Sequence, residues 1–216
     1  DPQACLTFSL GIDPEDLALS IHDVLAGTVR AREVVTATED GVDLLPATIE
    51  LARTEATLLT SGRREHTLDD ALAELRGHYD WILLDCPPTL GILTVNALTA
   101  ADDVIVPLQC ETLAHRGVGQ LVETVRDVMR TTNPRLRISG ILPTMFDGRT
   151  GHARAVLADV VERYDVPVLE PPVPRSVRFA EAPAIGRSVL ATSPHLRGSD
   201  AYRQHAARMH AELTRP

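Results

Sequence analysis

The stretch Trp81-Ile82-Leu83-Leu84-Asp85-Cys86-Pro87-Pro88 places four consecutive apolar residues directly ahead of one carboxylate. An apolar run without polar alternation is what a strand covered by helices on both faces requires, so Asp85 is expected at the carboxyl end of a buried parallel strand. Open α/β sheets bind ligands at that edge. A carboxylate there holds Mg²⁺ through water and sets the cation against the phosphates of a nucleotide. Two prolines then turn the chain away. The same carboxylate has a plainer use, as a cap for the helix that begins near Gly91.

The other reactive side chains suggest no chemistry of their own. Cys5, Cys86 and Cys110 are odd in number and far apart, which fits neither a disulfide framework nor a CxxC metal or redox motif. They are expected to be buried thiols. His115 has no Cys or Ser nucleophile accompanying it and reads as an exposed residue at a helix start.

Apolar runs bounded by turn residues recur at Val42 to Leu45, Trp81 to Cys86, Val104 to Leu108, Leu136 to Leu142 and Val166 to Leu169. Between them, Val118, Leu121, Val122, Val125, Val128 and Met129 follow helical spacing, and Ala153, Val156, Leu157, Val160, Val161 and Tyr164 repeat it after the next strand. The alternation implies βαβ units, hence an α/β fold with a doubly wound, mostly parallel sheet and helices on both faces. At 216 residues and 44% hydrophobic content one core suffices, and residues 1–216 are expected to form a single domain. No run approaches the roughly 20 apolar residues of a membrane span, and the first residues lack the basic and apolar regions of a signal peptide. A cytoplasmic protein is expected.

The net charge of −9 is unevenly spread. Residues 1–144 hold 11 Arg against 22 Asp plus Glu, net −11, whereas residues 145–216 hold 10 against 8, net +2. A late basic region inside an acidic protein matters more for nucleic-acid binding than the total does. Aromatic content of 3% leaves little scope for base stacking, which argues against a single-strand binder.

The whole of Tyr79-Asp80-Trp81-Ile82-Leu83-Leu84-Asp85-Cys86-Pro87-Pro88-Thr89-Leu90-Gly91-Ile92-Leu93-Thr94-Val95-Asn96-Ala97-Leu98 closely resembles the Walker B segment of ParA/Soj-type chromosome and plasmid partition ATPases, members of the deviant Walker A P-loop superfamily. Further similarities follow in the family's order. They are Asp1-Pro2-Gln3, Leu44-Leu45-Pro46-Ala47, Val106-Pro107-Leu108-Gln109-Cys110-Glu111, the stretch from Gly140 to Thr150, and the stretch from Val173 to Pro183. The resemblance spans essentially the whole chain. It implies a nucleoid-associated, Mg²⁺-dependent ATPase that dimerises with ATP, binds double-stranded DNA non-specifically, is stimulated by a ParB-like partner and does not use the membrane.

Carried over residue by residue, the resemblance makes Asp1 the carboxylate that positions the attacking water and Asp85 the one that holds Mg²⁺ through water. It places adenine against Thr144 and Met145 and against the loop containing Pro174 and Ser176. It makes Arg175, Arg178 and Arg197 the candidates for DNA phosphates, which arginines neutralise without reading sequence. Solvated surface arginines, or partners for the abundant carboxylates, are the alternative use of these three.

The chain departs from the family in three places. The Gly-rich P-loop with its two lysines, expected ahead of Asp1 together with the first strand, is not among these residues, and the chain contains no Lys. Such a loop points backbone N–H groups and a helix N-terminus at the phosphates. On its own, the chain is therefore expected to bind ATP weakly or not at all, to have a gap at the centre of its sheet, and to be unstable or to aggregate. Ser176 stands where relatives commonly carry Asn. Leu113-Ala114-His115-Arg116-Gly117 replaces aromatic residues and a Leu-Glu-Gly step that lie near the dimer and partner surfaces of relatives. The competing expectation is a degenerate, non-hydrolysing protein that keeps only its DNA- or partner-binding surfaces. A MinD-type role is disfavoured because the last helix lacks a wide bulky apolar face, and Fe–S delivery because paired cysteines are absent.

Overall fold

The computed structural model describes residues 1–111 and 114–213, with the side chains of residues 114, 115 and 213 outside the description. The chain forms two compact units. One comprises Asp1–Asp102, Arg126–Leu136 and Ala182–Ser188, the other Asp103–Val125, Arg137–Glu181 and Val189–Pro216.

The first unit begins with α1 (Cys5–Ser9), α2 (Ile21–Leu25) and α3 (Ala31–Val34), followed by a small hairpin of β1 (Thr36–Ala37) and β2 (Asp43–Leu44). The hairpin is antiparallel, pairing Thr36 with Leu44 and Ala37 with Asp43, and its turn passes through Gly41 at φ 76°. Next come α4 (Leu51–Leu58), α5 (Thr67–Leu72) and α6 (Ile92–Ala100). Helices this short are marginal in isolation and rely on caps and packing. Ser20 caps α2: its hydroxyl accepts from the His22 amide at 3.2 Å while Asp23 accepts from the Ser20 amide at 2.9 Å. Leu25, Leu51, Leu58, Ile92 and Leu93 bury together, and Val24, Ala31, Val34, Leu72 and Leu75 form a neighbouring cluster.

Asn96, fully buried in α6, pins three pieces of this unit. Its side-chain oxygen accepts from the Leu68 amide at 3.1 Å, and its side-chain nitrogen donates to the Arg64 and Ile92 carbonyls at 2.7 and 2.9 Å. Buried amides of this kind are stable only when so satisfied.

The second unit is built on a parallel pair, β3 (Asp103–Gln109) and β4 (Arg137–Thr144), in register from Asp103 opposite Arg137 to Gln109 opposite Thr144, with a shift between Val104 and Ile105. Parallel neighbours need a crossover. Most of it is α7 (Ala114–Thr131), whose Val118, Val122 and Val125 in this unit recur at helical spacing and are all buried. Beyond β4 lie α8 (Gly151–Tyr164), the short α9 (Arg178–Glu181) and α10 (Val189–Thr192), and finally α11 (Arg197–Leu213). Val106, Leu108, Val118, Val122, Ile141, Ala153 and Val160 close one core between strands and helices. Each fully buried branched residue such as Ile141 contributes about 1.5–3 kcal/mol.

The α/β class and parallel pairing match the sequence reading, and so do the strands at 104–108 and 136–142. Val166–Leu169 gives only a parallel bridge, Val168 to Ile141, beside β4. Val42–Leu45 contributes β2, half of an antiparallel hairpin rather than a parallel strand.

The Walker B run corrects the sequence reading. Trp81–Cys86 is not a strand, and Trp81, Ile82 and Leu83 are 40%, 38% and 78% exposed. Its apolar pattern does predict burial on both faces. A strand also needs ladder partners along its edges, and among the described residues none pairs with it. The cysteine expectation is corrected too. Cys110 is buried, but Cys5 and Cys86 are exposed because one opens α1 and the other ends the uncovered run. No helix among the described residues is long and apolar enough to cross a membrane.

Candidate active site

Asp1 and Asp85, 84 positions apart in sequence, meet in the first unit. The terminal ammonium of Asp1 donates to the carbonyl oxygen of Asp85 at 3.4 Å. Asp1 heads a turn: its Oδ1 accepts from the Gln3 amide at 2.9 Å, its carbonyl accepts from the Ala4 amide at 3.0 Å, and Ala4 enters α1 at φ 52°. One carboxylate oxygen of Asp1 is thus fixed by the turn, while Oδ2 has no partner among the described residues. Asp85 is exposed, and its carboxylate has no partner among them either. It does not cap α6, whose N-terminus follows Gly91 without a side-chain cap.

This donor set fits Mg²⁺ in one mode only. No group of three or more metal-ligating side chains occurs among the described residues. A single exposed carboxylate suits a hard cation that keeps its water shell and takes its remaining ligands from substrate phosphates.

Thr144, Met145, Pro174 and Ser176 all lie in the second unit, and the structure brings the stretch after Thr144 beside the 173–174 loop. Thr144 ends β4, and the chain continues beside the 173–174 loop through a parallel bridge of Phe146 to Pro174 and a bond from the Phe146 amide to the Val173 carbonyl at 3.0 Å. Met145, 52% exposed, sits at φ 48°. A left-handed non-glycine residue costs roughly 1–2 kcal/mol and tends to occur at ligand sites. The Ser176 hydroxyl accepts from the Arg178 amide at 3.3 Å and so serves the start of α9.

The three arginines also belong to the second unit. Arg178 is bonded to Glu181 at 2.6 Å. Arg175 is exposed and helps Arg149, the larger influence, hold the Asp147 carboxyl below its usual range. Arg197 opens α11, and the next residue, Gly198, packs so closely on Phe179 that a Cβ there would lie 2.5 Å from the ring. Phe179 also meets Tyr202 edge to face at 6.1 Å. Arg178 and Arg197 are therefore flanked by one aromatic contact between α9 and α11. Leu113 lies outside the described residues. The backbone of His115 falls in the first turn of α7, where the sequence put a helix start, and its side chain lies outside the description.

Sequence reading missed one constellation in the first unit. Asp40, at the hairpin turn, accepts from Arg187 Nε and from the Ser188 amide, each at 2.6 Å, across nearly 150 residues. The Ser188 side chain chiefly, then Arg187, holds the Asp40 carboxyl below its usual range. Charged residues in two loops give no periodic signal. The only local hint was glycine at 41 and 186, marking tight turns on either side of the pair.

A parallel pair joined by a helical crossover is a βαβ unit of the α/β class, and the comparisons with known proteins say which branch of that class it is. The family described as AAA domain (AAA_31) matches residues 1–138. The sporulation initiation inhibitor protein Soj of Bacillus subtilis is 40% identical over 203 residues, 94% of this chain and 80% of Soj. The chromosome partitioning protein ParA of Caulobacter vibrioides is 41% identical over 205 residues, 94% of this chain and 77% of that protein. A solved structure of cobyrinic acid a,c-diamide synthase from Mycobacterium smegmatis, with an ATP analogue and magnesium bound, is 50% identical and superposes with a TM-score of 0.89 over 99% of this chain and 80% of that one. The chain belongs to the ParA/Soj family of P-loop ATPases.

Proposed function

We propose that residues 1–216 act as one ATPase domain of a DNA-partitioning protein that hydrolyses ATP with Mg²⁺, dimerises with ATP bound, binds double-stranded DNA non-specifically and responds to a ParB-like partner at the nucleoid. The observation that carries this is the 40% identity to Soj over 94% of the chain, within which Asp1 and Asp85 lie near one another. Asp85 would hold Mg²⁺ through water, and the cation would neutralise charge on the phosphates. Asp1 keeps one oxygen in its turn, and the other, without a partner among the described residues, would accept a hydrogen bond from a water and orient it in line. Thr144, Met145, Pro174 and Ser176 supply a strand end and loop against which a flat base packs. Arg175, Arg178 and Arg197 supply positive charge for DNA phosphates.

The test is Mg²⁺-dependent ATP turnover by the product of the complete reading frame, with and without Asp85→Ala. Turnover abolished by the substitution supports the reading. No nucleotide binding at all would replace it with the non-hydrolysing reading, in which only DNA or partner binding remains.

The 50% identical Mycobacterium smegmatis relative is named for an amidation rather than for partitioning. Both readings use ATP and magnesium. Where glutamine is the nitrogen source, amide transfer also needs an activated nucleophile, commonly a thiolate. Incubation with cobyrinic acid, glutamine and ATP separates the two readings: an amidated corrinoid would establish the second.

A further inference from the structure

The loop at Gly186–Ser188 is locked to the hairpin and pressed against α1, all inside the first unit. The Asp40 side chain is 7% exposed and has both oxygens engaged, Oδ1 by Arg187 Nε and Oδ2 by the Ser188 amide, each at 2.6 Å. Glu39 adds a contact to Arg187 Nη1 at 3.3 Å. Charge-assisted bonds to both oxygens fix the orientation of the carboxylate and of the loop it holds. At its β2 end the hairpin is tied again, by the Tyr79 hydroxyl donating to Asp43 Oδ2 at 2.7 Å.

Gly186, at φ 66°, lies backbone to backbone with Gly11, at φ 81°. A Cβ on Gly186 would fall 2.6 Å from the Gly11 Cα, and one on Gly11 would fall 3.1 Å from the Gly186 carbonyl oxygen. Only glycine allows this approach. Gly11 closes the C-terminal end of α1, with its amide donating to the Phe8 carbonyl at 3.0 Å, and the Asp1 turn opens the other end. Five residues of helix cannot hold themselves in place. The position of α1 is set by two supports: Gly186 against Gly11, and the Thr7 hydroxyl, which accepts from the Ala47 amide at 2.9 Å and donates to the Ala47 carbonyl at 3.3 Å.

We propose that Arg187 and Asp40 are positioning residues for Asp1: the pair fixes the loop, the loop seats α1 through the two glycines, and α1 aims the carboxylate of the turn at its head. The proposal rests on the water-orienting role given to Asp1 above. Arg187 acts through this series of contacts and not on the reacting atoms. Displacing a catalytic group by about 1 Å lowers rate by about 10²-fold, so a partial loosening of α1 reads as a smaller loss.

The test is single-turnover hydrolysis of pre-bound ATP by the product of the complete reading frame, comparing wild type, Arg187→Ala, Arg187→Lys and Gly186→Ala. The expected result is a rate constant lowered about tenfold in Arg187→Ala and Gly186→Ala, with ATP affinity unchanged and partial recovery in Arg187→Lys. Loss of folded protein alone would reduce the amplitude and leave the rate constant as it was. Hydrogen exchange at residues 3–12 should quicken in the same two variants. A wild-type rate constant in Arg187→Ala overturns the proposal. If the wild-type protein does not turn over ATP, the parent reading fails instead, and unchanged exchange at residues 3–12 then overturns the proposal by itself.

Discussion

Asp1 and Asp85 approach through their backbones, nitrogen to carbonyl oxygen at 3.4 Å, and neither side chain takes part in the contact. Chemistry and architecture can therefore be separated by mutation at Asp85, whose carboxylate is exposed. Asp85→Asn keeps shape and removes charge. Turnover should fall about 10²-fold or more, as for loss of one electrostatic group at a phosphoryl-transfer site. Thermal stability should stay within about 0.5 kcal/mol of wild type, as for exposed positions without partners. Steady-state hydrolysis and a melting curve on the same sample check both.

Asp40 makes stability depend on acid. Its folded pKa is depressed, chiefly by the Ser188 side chain and then by Arg187, whereas an unfolded Asp titrates near 3.9. The unfolded state therefore binds the proton first as pH falls. The stabilisation is fully present above the unfolded value and disappears as pH drops through the lower folded value. Melting temperatures of wild type and Asp40→Asn should differ most above about pH 5 and converge as pH falls below the unfolded value near 3.9. Parallel curves over that range would refute the assignment.

Asn96 joins α6 to the Leu68 and Arg64 backbone by its side chain, so Asn96→Ala should destabilise the protein by about 1–3 kcal/mol by leaving the Leu68 amide without this acceptor and the Arg64 carbonyl with only the Thr67 hydroxyl as donor. A urea titration with an unchanged slope and a lowered midpoint is the expected signature.

Helical spacing in α7 and α8 was legible because one buried face repeats over several turns, and β3 and β4 were legible as apolar runs between turn residues. Trp81–Leu84 was misread for the same reason that made it conspicuous. Apolar pattern reports a preference for burial, while a strand depends on neighbours that the pattern does not encode. Asp85 was legible as a candidate because a lone carboxylate after an apolar run is a local feature. The Asp40–Arg187 pair was not, since two charged loop residues nearly 150 positions apart are joined only by tertiary structure. Four- and five-residue helices such as α2, α3 and α10 show too few repeats to declare a period.

The arginines of the second unit give a prediction in which charge and pairing act in opposite directions. Arg175 is exposed and forms no ion pair among the described residues, so it is available to a phosphate. Replacing it by Ala should weaken DNA binding equally for all sequences and reduce the slope of log affinity against log salt by about 1. Arg178 is held by Glu181 at 2.6 Å, an exposed i,i+3 pair of the kind that contributes little to stability. Glu181→Ala should therefore leave the melting temperature nearly unchanged, release the guanidinium and remove a repelling carboxylate, so that affinity for DNA rises. Arg178→Ala should lower it. Fluorescence anisotropy with duplex DNA across a salt series reads all three variants. If Arg178 serves only its ion pair with Glu181, neither member's substitution will move the salt slope, and the basic region must be sought elsewhere on the unit.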